Sequence, residues 1–148
     1  MAVSILRQLQ QEYVQSLIEE GIVNDQFCRI QHSKISEDPD YMIKLIDAYC
    51  IDMETILLKL SKYTDIPNAD FSKVVLLGQQ LEEKSSYIGA DYVKLACDDL
   101  IQACHEKDEK NFIHALNWTR SEFHRTQNKL EAFVQMERKI IRLRNKQG

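Results

Sequence analysis

Four histidines (His32, His105, His114 and His124) and four cysteines (Cys28, Cys50, Cys97 and Cys104) are the side chains of this 148-residue chain best suited to nucleophilic or metal chemistry. No two cysteines form a C-x-x-C pair, and the histidines complete no zinc spacing. Cys97 and Cys104 lie seven apart on one face of an expected helix, which suits small buried hydrophobes better than ligands or a disulfide. A di-metal bundle would need repeated E-x-x-H pairs on facing helices. The only approach to one is "EFH", where Glu122 stands two positions from His124 and so on a different face. The chain has no phosphate-cradling glycine loop, H-E-x-x-H pair or nucleophile elbow. No metal or other cofactor is expected.

A different stretch draws attention by its composition. "LGQQLEEKSSYIGA", residues 77–90, combines amides, paired acids, a serine pair and a small-residue turn. On a helix, Val75, Gln79, Glu82, Glu83 and Ser86 fall at −4, 0, +3, +4 and +7 relative to Gln79, forming one outward stripe. Phe71, Val74, Gly78 and Leu81 take the core side.

The elements that must position this stripe are helical. Hydrophobic residues make up 44% and charged residues 28%, and there are only four glycines and two prolines. So few chain breakers favour long helices with short connections in a single domain spanning residues 1–148. A first helix is expected from Ala2 to Glu20, with Leu6, Leu9, Tyr13 and Leu17 as its apolar stripe and Gly21 ending it. A short second helix follows Asn24 as N-cap, with Phe27 and Ile30 inward. Asp38 and Pro39 read as cap and first-turn proline of a third helix to Tyr63, whose seam is Met42, Ile46, Tyr49, Met53, Ile56 and Leu60. After a loop containing Pro67, helix four runs from Asp70 to Ser86. Helix five follows Gly89, with Val93, Cys97, Leu100 and Cys104 inward. The last helix begins near Asp108 and buries Phe112, Leu116, Phe123, Leu130, Phe133 and Ile140. No segment alternates with period two. The expected fold is all-α: an antiparallel four-helix bundle with two additional short N-terminal helices packed at one end.

The net charge of −4 disfavours nucleic acid and anionic membrane as partners. The basic end "RKIIRLRNK" suits a helix C-terminus. No run approaches a membrane span, and the start "MAVSILRQLQQEYV" turns polar too soon for a signal peptide. The expected location is the cytoplasm, with access to the nucleus.

On these residues the chain resembles the plant histidine-containing phosphotransfer proteins. The resemblance runs through "NDQFCRIQ", "DPDYMIKLIDAYCIDMETILLKL", "SSYIGADYVK" and "SEFHRTQNKLEAFVQMERKI", nearly the whole chain. In that family the stretch before the turn reads approximately H-Q-L-K-G-S-S-S-S-I-G-A. Its histidine accepts a phosphoryl group from a receiver aspartate and passes it on. An ungapped match from Ser85, Ser86, Ile88, Gly89, Ala90, Val93 and Lys94 back through Gln80 and Leu81 puts Gln79 at the acceptor position. Glu82 then stands at the lysine position and Glu83 at the glycine position.

The resemblance therefore implies a pseudo-phosphotransfer protein. An amide has no basic or nucleophilic nitrogen, whereas a neutral imidazole has both. Implied partners are receiver domains of sensor histidine kinases and response regulators, in cytokinin signalling, bound by a monomer that acts as a competitor rather than an enzyme. Docking residues would be Val75, Gln79, Glu82, Glu83 and Ser86, joined by Gln26, Arg29 and Ile30 of the second helix. Two other readings stand beside it: an active phosphorelay mediator using another histidine, and a helical scaffold that binds no receiver because Glu82 and Glu83 oppose an acidic pocket.

Overall fold

The computed structural model describes residues 1–34, 38–66 and 69–147. It contains α1 (Ala2–Glu19), α2 (Asp25–Lys34), α3 (Tyr41–Ser61) with a 3-10 turn over Lys62–Asp65, α4 (Phe71–Ile88), α5 (Asp91–His105) and α6 (Glu109–Gln147). There is no strand among the described residues. Pro67 lies outside them.

Cross-helix partners give the topology. Between α3 and α4, Tyr41 meets Tyr87, Tyr49 meets Ser85 and Asp52 meets Lys84. Between α3 and α6, Ser61 meets Arg120, Glu54 meets Gln127 and Asp47 meets Arg138. Rising numbers on one helix pair with falling numbers on the other, so α3 runs antiparallel to both. Lys94 of α5 approaches Glu82, and Ile101 lies against Gly78 nearer the start of α4, so these helices are antiparallel too. The result is the expected four-helix bundle of α3 to α6.

Periodicity explains the core. Met42, Ile46, Tyr49, Met53, Ile56 and Leu60 are all buried, as are Val93, Cys97, Leu100 and Cys104 and all six apolar residues expected of the last helix. Edge-on aromatic contacts join the layers: Tyr49 on Phe123, Phe71 on Phe112, and Phe27 on Phe133 at 5.2 Å between ring centroids. The last of these seats α2 on α6.

Three details differ from expectation. The Asp38 carboxylate accepts from the Asp40 amide at 3.0 Å and from Lys44 at 3.2 Å, which forms a turn that delays α3 to Tyr41. α1 is 18 residues long and lies antiparallel along α6, with the Tyr13 hydroxyl donating to the Lys129 carbonyl at 2.7 Å. Its buried residues are Gln10, Val14 and the expected Leu17, whereas Leu6 and Tyr13 are half-buried and Leu9 is 50% exposed. The reason is a polar cluster. Buried Glu137 of α6 accepts from Arg7 and from Gln10, each at 2.8 Å, and Gln10 also accepts from Gln31 of α2 at 3.3 Å. A buried carboxylate must be paired, and the bonds to Glu137 Oε2 hold α1 so that Gln10 points inward, while Oε1 has no partner.

Cys50, Cys97 and Cys104 are buried free thiols, and Cys28 is half-buried. Burial, with acidic neighbours assisting at Cys50 and Cys97, pushes those two up to about 12, and burial alone pushes Cys104 up to about 11. In the unfolded chain such thiols ionise near about 8.5. Above that pH the unfolded state has released protons that the folded state keeps, so stability is complete below about pH 8.5 and falls as pH rises. Tyr49, whose hydroxyl burial holds well above the usual range, adds to the fall above about pH 10. Urea midpoints measured from pH 7 to 10.5 should be level at first and then decline. A level profile throughout would contradict the burial of these groups.

Candidate docking site on α4

α4 begins at Asp70, whose carboxylate accepts from the Ser72 amide at 3.1 Å as an N-cap. Its bonds to Ser72 also hold that carboxyl below the usual range. The helix buries Val74, Gly78, Leu81, Ser85 and Ile88. This core stripe forces Gln79 and Glu83 outward, and both are exposed. Val75, Glu82 and Ser86 flank them and are half-buried, with Glu82 reaching Lys94 of α5. The five α4 residues expected on one stripe are thus together on one surface.

The two acids differ in environment. The Glu82 side chain is 27% exposed, accepts from the Ser86 hydroxyl at 2.9 Å and faces the Lys94 ammonium at 3.9 Å. Lys94 is shared with Asp98 at 3.1 Å, and its pKa is raised, chiefly by that hydrogen bond. Glu82 is therefore partly neutralised from α5. Glu83 instead lies on the α3 side, at a hollow of about 310 Å³ lined also by Leu45, Asp52, Lys84 and Tyr87. Lys84 is engaged by Asp52 at 3.1 Å, so Glu83 carries the less compensated charge of the pair.

The "SSYIGA" segment is a structural clasp. Ser85 is fully buried, and its hydroxyl pairs with the Tyr49 hydroxyl at 2.9 Å, locking α4 to α3. Gly89 ends the helix in the left-handed region at φ 84, where L side chains are strained. A Cβ there would lie 2.5 Å from Asn24 Oδ1. Asn24 in turn receives the Gln26 amide at 2.9 Å, which caps α2 as expected. It donates to the Asp91 carboxylate at 2.7 Å, and its own amide donates to the Gly89 carbonyl at 2.9 Å. This clasp fixes α2 beside the end of α4.

As a result Gln26, half-buried, reaches the Tyr87 carbonyl with its side-chain amide at 3.3 Å, and Arg29 is exposed nearby on α2. Ile30 is corrected: it is 6% exposed and belongs to the core, so it offers no docking surface. On an amphipathic helix fastened by Phe27, the residue three further on faces the same way.

All four histidines are exposed, and none lies on α4. His32 bonds the Cys28 carbonyl at 2.8 Å, and His124 borders a separate hollow with Glu54, Leu58 and Arg120 between α3 and α6. No cluster able to hold a metal ion is present among the described residues, and no described helix is long and apolar enough to cross a membrane.

Sequence reasoning missed Lys94 as the partner of Glu82 and Asn24 as the partner of Gly89. The usable signal for the first was the hairpin geometry. Two antiparallel helices joined at Gly89 bring together residues at similar distances on either side of the turn.

No family model matches the chain. It is 30% identical over 140 residues to histidine-containing phosphotransfer protein 1 of Oryza sativa subsp. japonica, covering 95% of each chain. Pseudo histidine-containing phosphotransfer protein 6 of Arabidopsis thaliana matches at 26% over 127 residues, covering 85% of this chain and 82% of the relative. The crystal structure of a histidine-containing phosphotransfer protein from maize superposes with a TM-score of 0.85 at 30% identity, covering 91% of this chain and 99% of that one. The chain belongs to the histidine-containing phosphotransfer protein family.

Proposed function

We propose that this chain is a pseudo-phosphotransfer protein of a plant two-component relay. It binds receiver domains of sensor histidine kinases or response regulators through the α4 stripe and takes no phosphoryl group, and it thereby competes with active carriers, as in cytokinin signalling. The observation that carries this reading is Gln79: an amide stands exposed on the α4 stripe, where the family resemblance puts the acceptor imidazole. The clasp through Ser85, Gly89 and Asn24 supports it. A preserved frame keeps the face presentable to a partner after its chemistry is gone. The docking surface is Val75, Gln79, Glu82, Glu83 and Ser86, with Gln26 and Arg29 from α2. Such a competitor acts as a monomer in the cytoplasm and nucleus.

The charge distribution sets the affinity. Receiver phosphorylation pockets are acidic, so Glu83 opposes docking more than the partly neutralised Glu82 does. The double variant Glu82→Lys, Glu83→Gly should bind a receiver roughly 3- to 30-fold more tightly by calorimetry, on the scale of one or two surface charge contacts. Glu83→Gly alone should supply most of the gain. Unchanged or weaker affinity would contradict the electrostatic account. No binding of the parent chain to any receiver would leave only a scaffold role.

A further inference from the structure

The other end of the α3–α4 groove is not used by the stripe through Gln79. There Lys59, Lys62 and Tyr63 face Lys73, Leu76 and Gln80 across a hollow of about 510 Å³. Leu76 is 58% exposed, and Ile66 on the same rim is 50% exposed. Large aliphatic side chains grouped at a concave rim are a mark of binding surfaces.

The charge there runs against the rest of the molecule. The chain carries a net −4, yet three lysines line this hollow. The ion pairs among the described residues use Arg7, Lys44, Lys84, Lys94, Arg125, Lys129 and Arg138. None of them uses Lys59, Lys62 or Lys73. Asp70 feels the charge of Lys73, but its carboxylate is already occupied in capping α4 through Ser72. Three like charges around an apolar floor repel one another and are relieved by an anionic partner that also supplies apolar contact.

These features select the occupant. A nucleic acid needs a basic stripe along its backbone and meets an acidic molecule beyond this one hollow. An acidic peptide segment needs only a short basic rim and a floor for one or two side chains. We infer that the groove between the C-terminal end of α3 and the N-terminal half of α4 docks an acidic amphipathic segment of a partner protein. This site is distinct from the α4 stripe and independent of whether that stripe binds receivers.

The test is an NMR titration of the full chain with a synthetic peptide whose leucines recur at i, i+4 between glutamates. Controls are the same peptide with each leucine replaced by serine, and a single-stranded oligonucleotide. Amide shifts are expected to cluster around Lys59, Lys62, Lys73 and Leu76, and to shrink in high salt. The variant Lys59→Gln, Lys62→Gln, Lys73→Gln should weaken binding about tenfold or more, and Leu76→Ala by a few-fold. Unchanged circular dichroism and thermal midpoint would exclude misfolding. The inference is overturned by any of four results: shifts elsewhere, no effect of the triple variant, equal binding of the leucine-free peptide, or tighter binding of the oligonucleotide.

Discussion

Replacing Gln79 by His, Glu82 by Lys and Glu83 by Gly in one chain is expected to create a phosphate acceptor at position 79. In the transfer, an imidazole nitrogen lone pair attacks the phosphorus of a receiver's aspartyl phosphate. The N–P bond forms as the P–O bond to the carboxylate breaks, and the aspartate leaves as the free carboxylate. The amide nitrogen of Gln79 has its lone pair delocalised into the carbonyl and cannot make that attack. Gln79 is already exposed on the outward face of α4, so a histidine there needs no rearrangement of the fold. The lysine matters because charge builds on the phosphoryl oxygens. One charge-assisted bond of about 1.5–3 kcal/mol corresponds to about 10- to 100-fold in rate. The triple variant should therefore exceed Gln79→His alone by that factor, measured as acid-labile phosphate after mixing with a phosphorylated receiver. Absence of labelling in a folded triple variant that binds the receiver would contradict the assignment of Gln79 to the acceptor position.

The second large effect is on stability. Gly89→Ala is expected to cost about 2–4 kcal/mol, a fall in Tm of roughly 5–12 °C for a domain of this size. Two causes add. The left-handed backbone at φ 84 costs an L residue about 1–2 kcal/mol. The new Cβ would also meet Asn24 Oδ1 at 2.5 Å and the Phe27 amide nitrogen at 3.1 Å. Asn24 cannot retreat without loosening its bonds to Gln26 and Asp91, and an N-cap is itself worth about 1 kcal/mol. Gly89→Asn separates the causes. Asparagine tolerates the left-handed region, so a conformational cost alone would make it mild. The close approach of Asn24 makes it costly as well. A loss below about 0.5 kcal/mol for Gly89→Ala would contradict the clasp.

Where a fold rests on period, it was legible in the sequence. The α3 seam from Met42 to Leu60 and the α5 seam from Val93 to Cys104 are fully buried because apolar spacing alone decides which face of a bundle helix turns inward. α1 shows where period fails. Leu9 looks like a core residue until Glu137, 127 positions after Gln10, claims Gln10 as a partner. A buried carboxylate outranks one leucine, and nothing local announces it. The same division holds at the candidate site. The outward stripe of Gln79 and Glu83 follows from helical spacing. The partial neutralisation of Glu82 by Lys94, the seating of α2 by Asn24, and the lysine-rimmed hollow at the far end of α3 depend on which helices become neighbours. Ile30 was the residue given two incompatible roles, inward and docking, and Phe27 packing on Phe133 decides for the core.

The most direct test of the central claim uses the unaltered chain. A receiver domain carrying labelled phosphate on its aspartate is mixed with it, and the complex and the position of the label are followed together by native electrophoresis and denaturing gels at alkaline pH. The expected result is a receiver complex with the label remaining on the receiver or released as inorganic phosphate, and none stably on this chain. Label transferred to the chain, removed by replacing any one of His32, His105, His114 or His124, would contradict it and identify an active carrier instead.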